Sequence, residues 1–221
     1  MDDSQGRAAR FQRIFDENAW GNSESVSGEG SNLTRTAAVR AALPGLLARH
    51  GVRSVLDAPC GDFYWMKEVD LRGAGGQIDY IGVDIVAEII ARDVELYASP
   101  RRRFLLCDLV DGSLPNADLI LCRDCLVHLP YHETRKALEN FVRSGATWLL
   151  TTTFTGDREN HDIAIGDWRA INLERPPYSF PRPMDVINEE SDEVDEELGA
   201  FPDKSLGLWR LADVLHSQPC D

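Results

Sequence analysis

The sequence predicts a single α/β domain, because short apolar runs of strand length alternate with longer segments of helical periodicity. Three of these apolar runs each end in an aspartate, at Asp57, Asp84 and Asp108. The 221 residues are enough for one such domain with an ample core. Hydrophobic residues make up 43% of the chain and charged residues 27%, which is ordinary for a soluble globular protein.

The acidic composition limits the classes of partner. The formal net charge is −14, so most of the surface should repel nucleic acid, and we expect no nucleic-acid partner. Residues 189–197 hold seven acids and no base, which indicates either a solvated loop or a lid that attracts cations. No run approaches the roughly 18 apolar residues that a membrane helix needs, and residues 1–4 do not resemble a signal peptide. We therefore expect a cytoplasmic monomer or homodimer without membrane contact.

The cysteine pattern predicts buried free thiols. The five cysteines are an odd number scattered along the chain, which argues against a disulfide framework. Cys122 and Cys125 form a CxxC pair, but no second pair accompanies it, so we predict neither a zinc site nor a redox site.

Residues 1–52 precede the first predicted strand, and we interpret them as a helical cap and lid loop ahead of a core of residues 53–221. The Gly/Ser-rich segment 21–31 has no periodicity. It is either a surface connection or a lid over a ligand, since loops of this length inside a domain are often functional. In the second case Trp20 would form an aromatic wall, and the backbone near Ser31 would bind the ligand.

The core pattern predicts strands and helices in alternation. Predicted strands are 53–57, 80–84, 104–108, 117–122, 147–154, 184–188 and 204–211. Predicted helices are 33–50, 62–69, 86–97 and 131–144. Residues 155–183 lack periodicity but carry prolines and aromatics, which favours an ordered loop over a disordered one.

The turn after the first strand is the main functional signal. A strand that enters a glycine turn and then a helix is a common way to cradle a nucleotide-like ligand. Asp57 at this strand end would repel a pyrophosphate and suits a ligand that is cationic there. Asp84 lies 23 residues after Gly61, near the spacing at which Rossmann-like sites place an acid for ribose hydroxyls.

The segment DAPCGDF at residues 57–63 resembles motif I, [DE]-x-G-x-G-x-G, of the class I S-adenosylmethionine-dependent methyltransferases of the bacterial small-molecule type. Pro59 and Phe63 stand in place of two of its glycines, and Gly61 is retained. The resemblance spans roughly residues 53–154. It implies a Rossmann-like fold with a seven-stranded, mostly parallel sheet flanked by helices, the last strand being antiparallel.

The resemblance also implies S-adenosylmethionine as the cofactor. Asp57 and the backbone of Cys122 and Arg123 would hold its methionine end, Asp84 its ribose and Asp108 its adenine amine. The complete expected set of cofactor-binding residues is Trp20, Ser31, Asp57, Pro59, Gly61, Asp84, Ile85, Asp108, Leu109, Cys122 and Arg123.

Asp124 and His128 follow the fourth core strand, where the resemblance places the transferred methyl group. They lie four residues apart and are the candidate catalytic pair for removing a proton from a nucleophile, although either could have a structural role instead. Trp168, Arg169 and Tyr178 are candidate substrate contacts, or else part of a proline-stiffened cover of the sheet edge.

We therefore expect methyl transfer to an oxygen or nitrogen of a small metabolite. The Asn-Pro-Pro-Tyr type of motif used for nucleobase amines is absent from the sequence, which weighs against base methylation. The alternative is a non-catalytic partner or regulatory protein that binds S-adenosylmethionine. A dinucleotide-dependent oxidoreductase is disfavoured by Asp57 and Pro59.

Overall fold

The computed structural model describes residues 3–73, 76–192, 194–195 and 199–216. Cys220 and the acidic residues at positions 193, 196 and 197 lie outside the described residues. The helices are α1 Asp3–Asp16, α2 Ala37–Arg49, α3 Ala87–Tyr97, α4 Tyr131–Arg143 and α5 Leu211–His216. The strands are β1 Ser54–Asp57, β2 Arg72–Gly73, β3 Gly76–Gln77, β4 Asp79–Asp84, β5 Arg102–Leu106, β6 Leu119–Cys122, β7 Trp148–Phe154, β8 Asp185–Asn188, β9 Val194–Asp195, β10 Gly199–Ala200 and β11 Lys204–Arg210.

The central sheet has seven strands in the order β5-β4-β1-β6-β7-β11-β8. Strand β1 pairs in parallel with β4 and β6, and the pairs β4 with β5 and β6 with β7 are also parallel. Strand β11 is antiparallel to both of its neighbours, β7 and β8. The predicted α/β fold with a mostly parallel seven-stranded sheet is therefore confirmed.

The sheet has a hydrophobic core on each of its two faces. Val55 and Leu56 are adjacent in β1 and belong to different cores, because successive side chains of a strand point to opposite faces. Helix α2 contributes Leu43 to one core, and α4 contributes Phe141 to the other. Every residue of β6 and β7 is buried, as expected for strands covered by helices on both faces.

Two predicted helices differ from the observed ones. The helix expected over residues 33–50 begins only at Ala37. The helix expected over residues 62–69 is wrong, because that segment contains a single 3₁₀ turn at Met66–Glu68. Phe63 has φ +55°, a left-handed conformation that an α-helix cannot contain. The turn at Gly61 is therefore not followed by the N-terminus of an α-helix.

The division at residue 52 into a cap and a core remains a prediction. Helix α2 lies before this point, yet its Val39, Leu43 and Leu46 are buried in a core of the sheet. Helix α1 and the loop after it lie instead at the edge of the sheet where β1, β4 and β5 end, because Arg7 contacts Asp108.

Cys60, Cys122 and Cys125 are buried free thiols, whereas Cys107 is free and only partly buried. Within the described part of the chain, no group of side chains has the composition of a metal site, and no helix is long and apolar enough to cross a bilayer.

Candidate functional site

A pocket opens at the carboxyl ends of β1, β4, β5 and β6. The polypeptide reaches this edge through four separate turns, so residues distant in sequence meet there. The predicted site residues that line the pocket are Trp20, Ser31, Asp57, Pro59, Gly61, Asp84, Ile85, Asp108, Leu109, Arg123, Asp124 and His128.

Asp57 and Asp84 are buried carboxyl groups on the floor of this pocket. The Tyr80 hydroxyl donates a hydrogen bond to Asp57 Oδ2 at 2.6 Å. Burial raises the pKa of Asp57 to about 7, although Tyr80 and Arg123 lower it in part. Burial likewise raises the pKa of Asp84 to about 6, against the effect of its hydrogen bonds from backbone N–H groups. A cationic ligand would stabilise the ionised form of both groups.

Gly61 joins these two acids through its backbone. Its N–H donates to Asp84 Oδ2 at 3.2 Å, while the Val86 N–H donates to Asp84 Oδ1 at 2.9 Å. Gly61 has φ +53°, and a Cβ at this position would overlap the hydroxyl of Ser27. A side chain is therefore excluded here both by conformation and by space, which explains why this glycine of the motif is retained.

Asp62, which was not predicted from the sequence, holds the Gly/Ser-rich loop against the turn at Gly61. Its Oδ1 accepts from Ser25 Oγ at 2.9 Å and its Oδ2 from the Val26 N–H at 3.0 Å. In return, the Asp62 N–H donates to Ser27 Oγ at 3.1 Å. Val26 and Ser27 line the pocket, so the loop lies at the site as the lid hypothesis requires.

Arg7 is a second residue that the sequence analysis did not identify. Its side chain is almost fully buried, and its Nη2 lies 2.7 Å from Asp108 Oδ2 and 2.6 Å from an oxygen of Asp111. Its Nη1 pairs with the buried Glu133. Asp108 also accepts from the Val110 N–H. Any adenine amine bound by Asp108 would thus share this carboxylate with Arg7.

Asp124 belongs to a buried ion cluster. Its carboxylate lies 3.0 Å from Lys204 Nζ and 3.2 Å from Arg123 Nη1. Burial acts to raise the pKa of Asp124, but Arg123 and Lys204 hold it well below its usual range. Asp124 is therefore a permanent anion and a weak base. Glu189 completes the cluster through two hydrogen bonds with Arg123, so the interpretation of its segment as a solvated loop is wrong at this residue.

His128 has the geometry of a neutral base. Its Nδ1 lies 2.8 Å from the carbonyl oxygen of Asp167. Because a carbonyl can only accept, Nδ1 is assigned the proton and Nε2 retains a lone pair. Burial lowers the pKa of His128 despite opposing effects of the Asp167 carbonyl and the Asp124 carboxylate. The ring also stacks on Trp20.

Four residues proposed from the sequence do not line the pocket, and their expected roles remain predictions. Arg169 is fully buried and donates from Nη2 to the hydroxyl of the buried Tyr178 at 2.8 Å. Trp168 is partly exposed and packs on Phe201. Cys122 is buried in the core, and its carbonyl accepts from Thr151 Oγ1. In these positions Trp168, Arg169 and Tyr178 stabilise the segment after β7.

One face of α1 forms a further wall of the pocket. Arg7, Phe11, Ile14 and Phe15 all line it, and their spacing of four, seven and eight residues places them on one side of a helix. The sequence predicted a helical cap within residues 1–52, but not which of its side chains would line the pocket.

Comparison with known proteins identifies the fold. No protein-family model matches the sequence. The 1,6-didemethyltoxoflavin-N1-methyltransferase of Burkholderia thailandensis, solved with 1,6-didemethyltoxoflavin and S-adenosylhomocysteine, superimposes with a TM-score of 0.58 over 92% of this chain and 86% of its own, at 17% identity. The protein has the class I methyltransferase fold. The methyltransferase domain of bacterial CtHen1-C superimposes with a TM-score of 0.55 over 81% of this chain and 98% of its own, at 15% identity.

A curated relative is also named as a methyltransferase. "Uncharacterized methyltransferase Rv0089" of Mycobacterium tuberculosis (strain ATCC 25618 / H37Rv) is 30% identical over 129 residues, which are 56% of this chain and 62% of the relative. The chain thus spans less than two thirds of the length of this relative. The expectation of a methyltransferase from the motif at residues 57–63 is confirmed at the level of fold and of similarity to named methyltransferases.

Proposed function

We propose that this protein transfers a methyl group from S-adenosylmethionine to an oxygen or nitrogen atom of a small metabolite. The proposal rests on one observation. The same pocket contains buried acids that have few neighbouring cations and a neutral imidazole. Asp57 and Asp84 supply the acids, and His128 supplies the base. The similarity to proteins named methyltransferases supports the same conclusion.

The residues present fit this cofactor. Asp57 has a raised pKa because it is buried, and the cationic methionine end would stabilise its carboxylate. Asp84 is positioned by the backbone N–H groups of Gly61 and Val86 and would accept from the ribose hydroxyls. Ile85 and Leu109 line the pocket near Asp84 and Asp108 and would contact the adenine.

When bound, S-adenosylmethionine supplies an electrophilic methyl group on a positively charged sulfur. The acceptor atom would use its own electron pair to take this methyl group, and the sulfur would keep the pair of the bond that breaks. His128 Nε2 takes the proton of the acceptor, because Nδ1 is already held by the Asp167 carbonyl. Most of the acceleration comes from holding the two reactants in line.

Asp124 acts electrostatically in this scheme. Its carboxylate is fixed by Lys204 and Arg123 and stays ionised. A fixed negative charge near His128 stabilises the imidazolium that forms when the ring takes a proton. Of the two candidate bases proposed from the sequence, we therefore assign the proton transfer to His128.

The main alternative is a protein that binds S-adenosylmethionine without catalysis. It shares the acidic pocket but makes no use of a neutral His128 beside it. A dinucleotide enzyme is disfavoured because the turn at Gly61 is not followed by an α-helix whose N-terminus could bind a pyrophosphate. The net charge of −14 supports a small-molecule partner over a nucleic acid, and we expect a monomer or homodimer acting in the cytoplasm.

Two measurements test the proposal. Titration calorimetry with S-adenosylhomocysteine should show saturable binding, whereas titration with NAD should show none. Incubation with S-adenosylmethionine carrying a labelled methyl group and a metabolite extract should then label a small molecule, and the His128→Ala variant should not. If S-adenosylhomocysteine binds but no labelled product forms in extracts from several sources, the non-catalytic alternative is favoured.

A further inference from the structure

We propose that the acceptor is an uncharged, planar aromatic molecule that carries the reacting hydroxyl or amine, and that it lies against an aromatic wall formed by Phe11, Phe15 and Trp20. This inference rests on the proposed function, because it concerns the part of the same pocket next to the base. It is carried by the position of these rings, by the charges that line the pocket and by the pairing of its arginines.

The order of the strands places the acceptor on the β6 side of the pocket. The residues that fit the adenosine follow β4 and β5, on one side of β1, whereas Asp124 and His128 follow β6, on the other side. The ring of Trp20 stacks on His128, so it too lies on the β6 side. A molecule whose proton goes to His128 must therefore contact Trp20 or the residues beside it.

Two rings of this wall, those of Phe11 and Trp20, contact each other, and Trp20 also contacts the base. The centroids of Phe11 and Trp20 are 6.3 Å apart, and those of Trp20 and His128 are 4.8 Å apart. Phe15 lies one helical turn beyond Phe11 on the same face of α1 and also lines the pocket. Offset or edge-to-face contacts with such rings favour a planar aromatic partner beyond the area they bury.

The charges of the lining disfavour an anionic acceptor. Among the described residues, five aspartates line the pocket: Asp57, Asp62, Asp84, Asp108 and Asp124. Its two arginines are both committed to carboxylates of the protein.

Arg7 pairs with Asp108, Asp111 and Glu133, and Arg123 pairs with Asp124 and Glu189. A carboxylate or phosphate on the acceptor would thus find both arginines of the lining already paired with carboxylates of the protein. Phosphorylated metabolites and free acids are disfavoured on this ground.

The test uses three matched probes, titrated by calorimetry into the protein saturated with S-adenosylhomocysteine. 2-Naphthol is planar and neutral, 6-hydroxy-2-naphthoate adds one carboxylate, and decahydro-2-naphthol keeps the carbon skeleton but loses planarity. We expect 2-naphthol to bind at least about tenfold more tightly than either of the other two, a difference of about 1.4 kcal/mol.

Variants of the wall residues then test where 2-naphthol binds. Phe11→Ala and Phe15→Ala should each weaken 2-naphthol binding by about fivefold to tenfold, with the affinity for S-adenosylhomocysteine unchanged within about twofold. Phe15→Leu, which keeps apolar volume, serves if an alanine variant does not fold. Trp168→Leu is the matched control, since Trp168 is an exposed aromatic outside the pocket, and it should alter neither affinity.

Three results would overturn the inference while leaving the proposed function intact. These are equal or tighter binding of the carboxylated or the saturated probe, no binding of 2-naphthol to the protein that holds S-adenosylhomocysteine, and unaltered 2-naphthol binding in the Phe11 and Phe15 variants. If S-adenosylhomocysteine itself does not bind, the proposed function fails, and this inference fails with it.

Discussion

The imidazole of His128 stacks on the indole of Trp20, with the ring centroids 4.8 Å apart and the planes inclined by 27°. Trp20 follows the first helix of the chain, and His128 follows the fourth parallel strand, so the contact joins the N-terminal segment to the candidate catalytic group. The indole covers one face of the imidazole and contributes to the burial that lowers the pKa of His128. Access to the base is thus coupled to the position of the N-terminal segment.

Replacing His128 by glutamine should separate catalysis from binding. Glutamine keeps a polar side chain of similar length but cannot take a proton, so we expect kcat to fall by about two to three orders of magnitude. The affinity for S-adenosylhomocysteine, measured by calorimetry, should stay the same. The pH profile of the wild-type enzyme should show activity rising with pH as the imidazole becomes neutral, with a midpoint below the ordinary value for histidine.

The variant Asp124→Asn is the companion to this test. It keeps the shape of the side chain but removes the charge that pairs with Lys204 and Arg123. We expect a smaller loss of kcat than in His128→Gln, because proton transfer to the imidazole remains possible. An Asp124→Asn variant as inactive as His128→Gln, but folded, would instead assign the base to Asp124.

Removing the carboxylate of Asp62 should detach the lid loop from the motif turn. Asp62→Ala loses the hydrogen bonds from Ser25 and Val26, each contributing about 1 kcal/mol. We expect weaker binding of S-adenosylhomocysteine by about tenfold and faster amide hydrogen exchange in residues 25–27. Asp70→Ala is the control, because Asp70 is exposed and pairs only locally with Arg72. Equal effects of the two variants would show that Asp62 does not hold the lid loop in place.

Arg7 should contribute strongly to stability. Arg7→Met keeps much of the apolar volume but leaves Asp108 and Glu133 without their buried cation, so we expect a loss of about 3 kcal/mol in the free energy of unfolding. The exposed pair of Arg101 and Asp79 is the matched control, and Arg101→Met should cost less than about 1 kcal/mol. Urea denaturation of both variants measures the difference, and similar losses would contradict a buried network.

Cofactor binding should depend on pH through Asp57. Its pKa is raised from 3.8 to about 7, so near neutral pH the free protein holds a proton there that a cationic ligand would displace. We expect S-adenosylmethionine to bind more tightly as pH rises from about 6 to 8, with release of a proton that calorimetry in buffers of different ionisation enthalpy can count. The Asp57→Asn variant should lose most of this proton release, because Asp84, with a pKa of about 6, is already largely ionised at neutral pH.

The stability of the free protein should follow the opposite trend. A carboxyl group with a raised pKa binds its proton more tightly in the folded state than in the unfolded state. Its contribution to stability is therefore fully present below about pH 4 and is lost as pH rises toward 7. Thermal denaturation with and without S-adenosylmethionine should show the ligand restoring stability mainly at the higher pH. A ligand effect independent of pH would contradict this assignment of Asp57.

Local sequence accounts for the parts of the site that lie at strand ends. Asp57 and Asp84 could be identified because each directly follows a buried apolar run, and parallel strands bring such ends to one edge of the sheet. The local pattern gave a wrong prediction at residues 62–69. It favoured a helix, but Phe63 has a left-handed backbone conformation and no α-helix forms there.

The sequence by itself determined the α/β fold, the order of its strands along the chain and the acids at the strand ends, because these depend on periodicity and on turns between near neighbours. The tertiary structure alone decided which charges are paired. Arg7 meets Glu133, and Arg123 meets Glu189, across long separations in sequence. It also placed Arg169 and Tyr178 in the interior rather than in the pocket. Such contacts depend on how loops pack over the sheet, which no local pattern encodes.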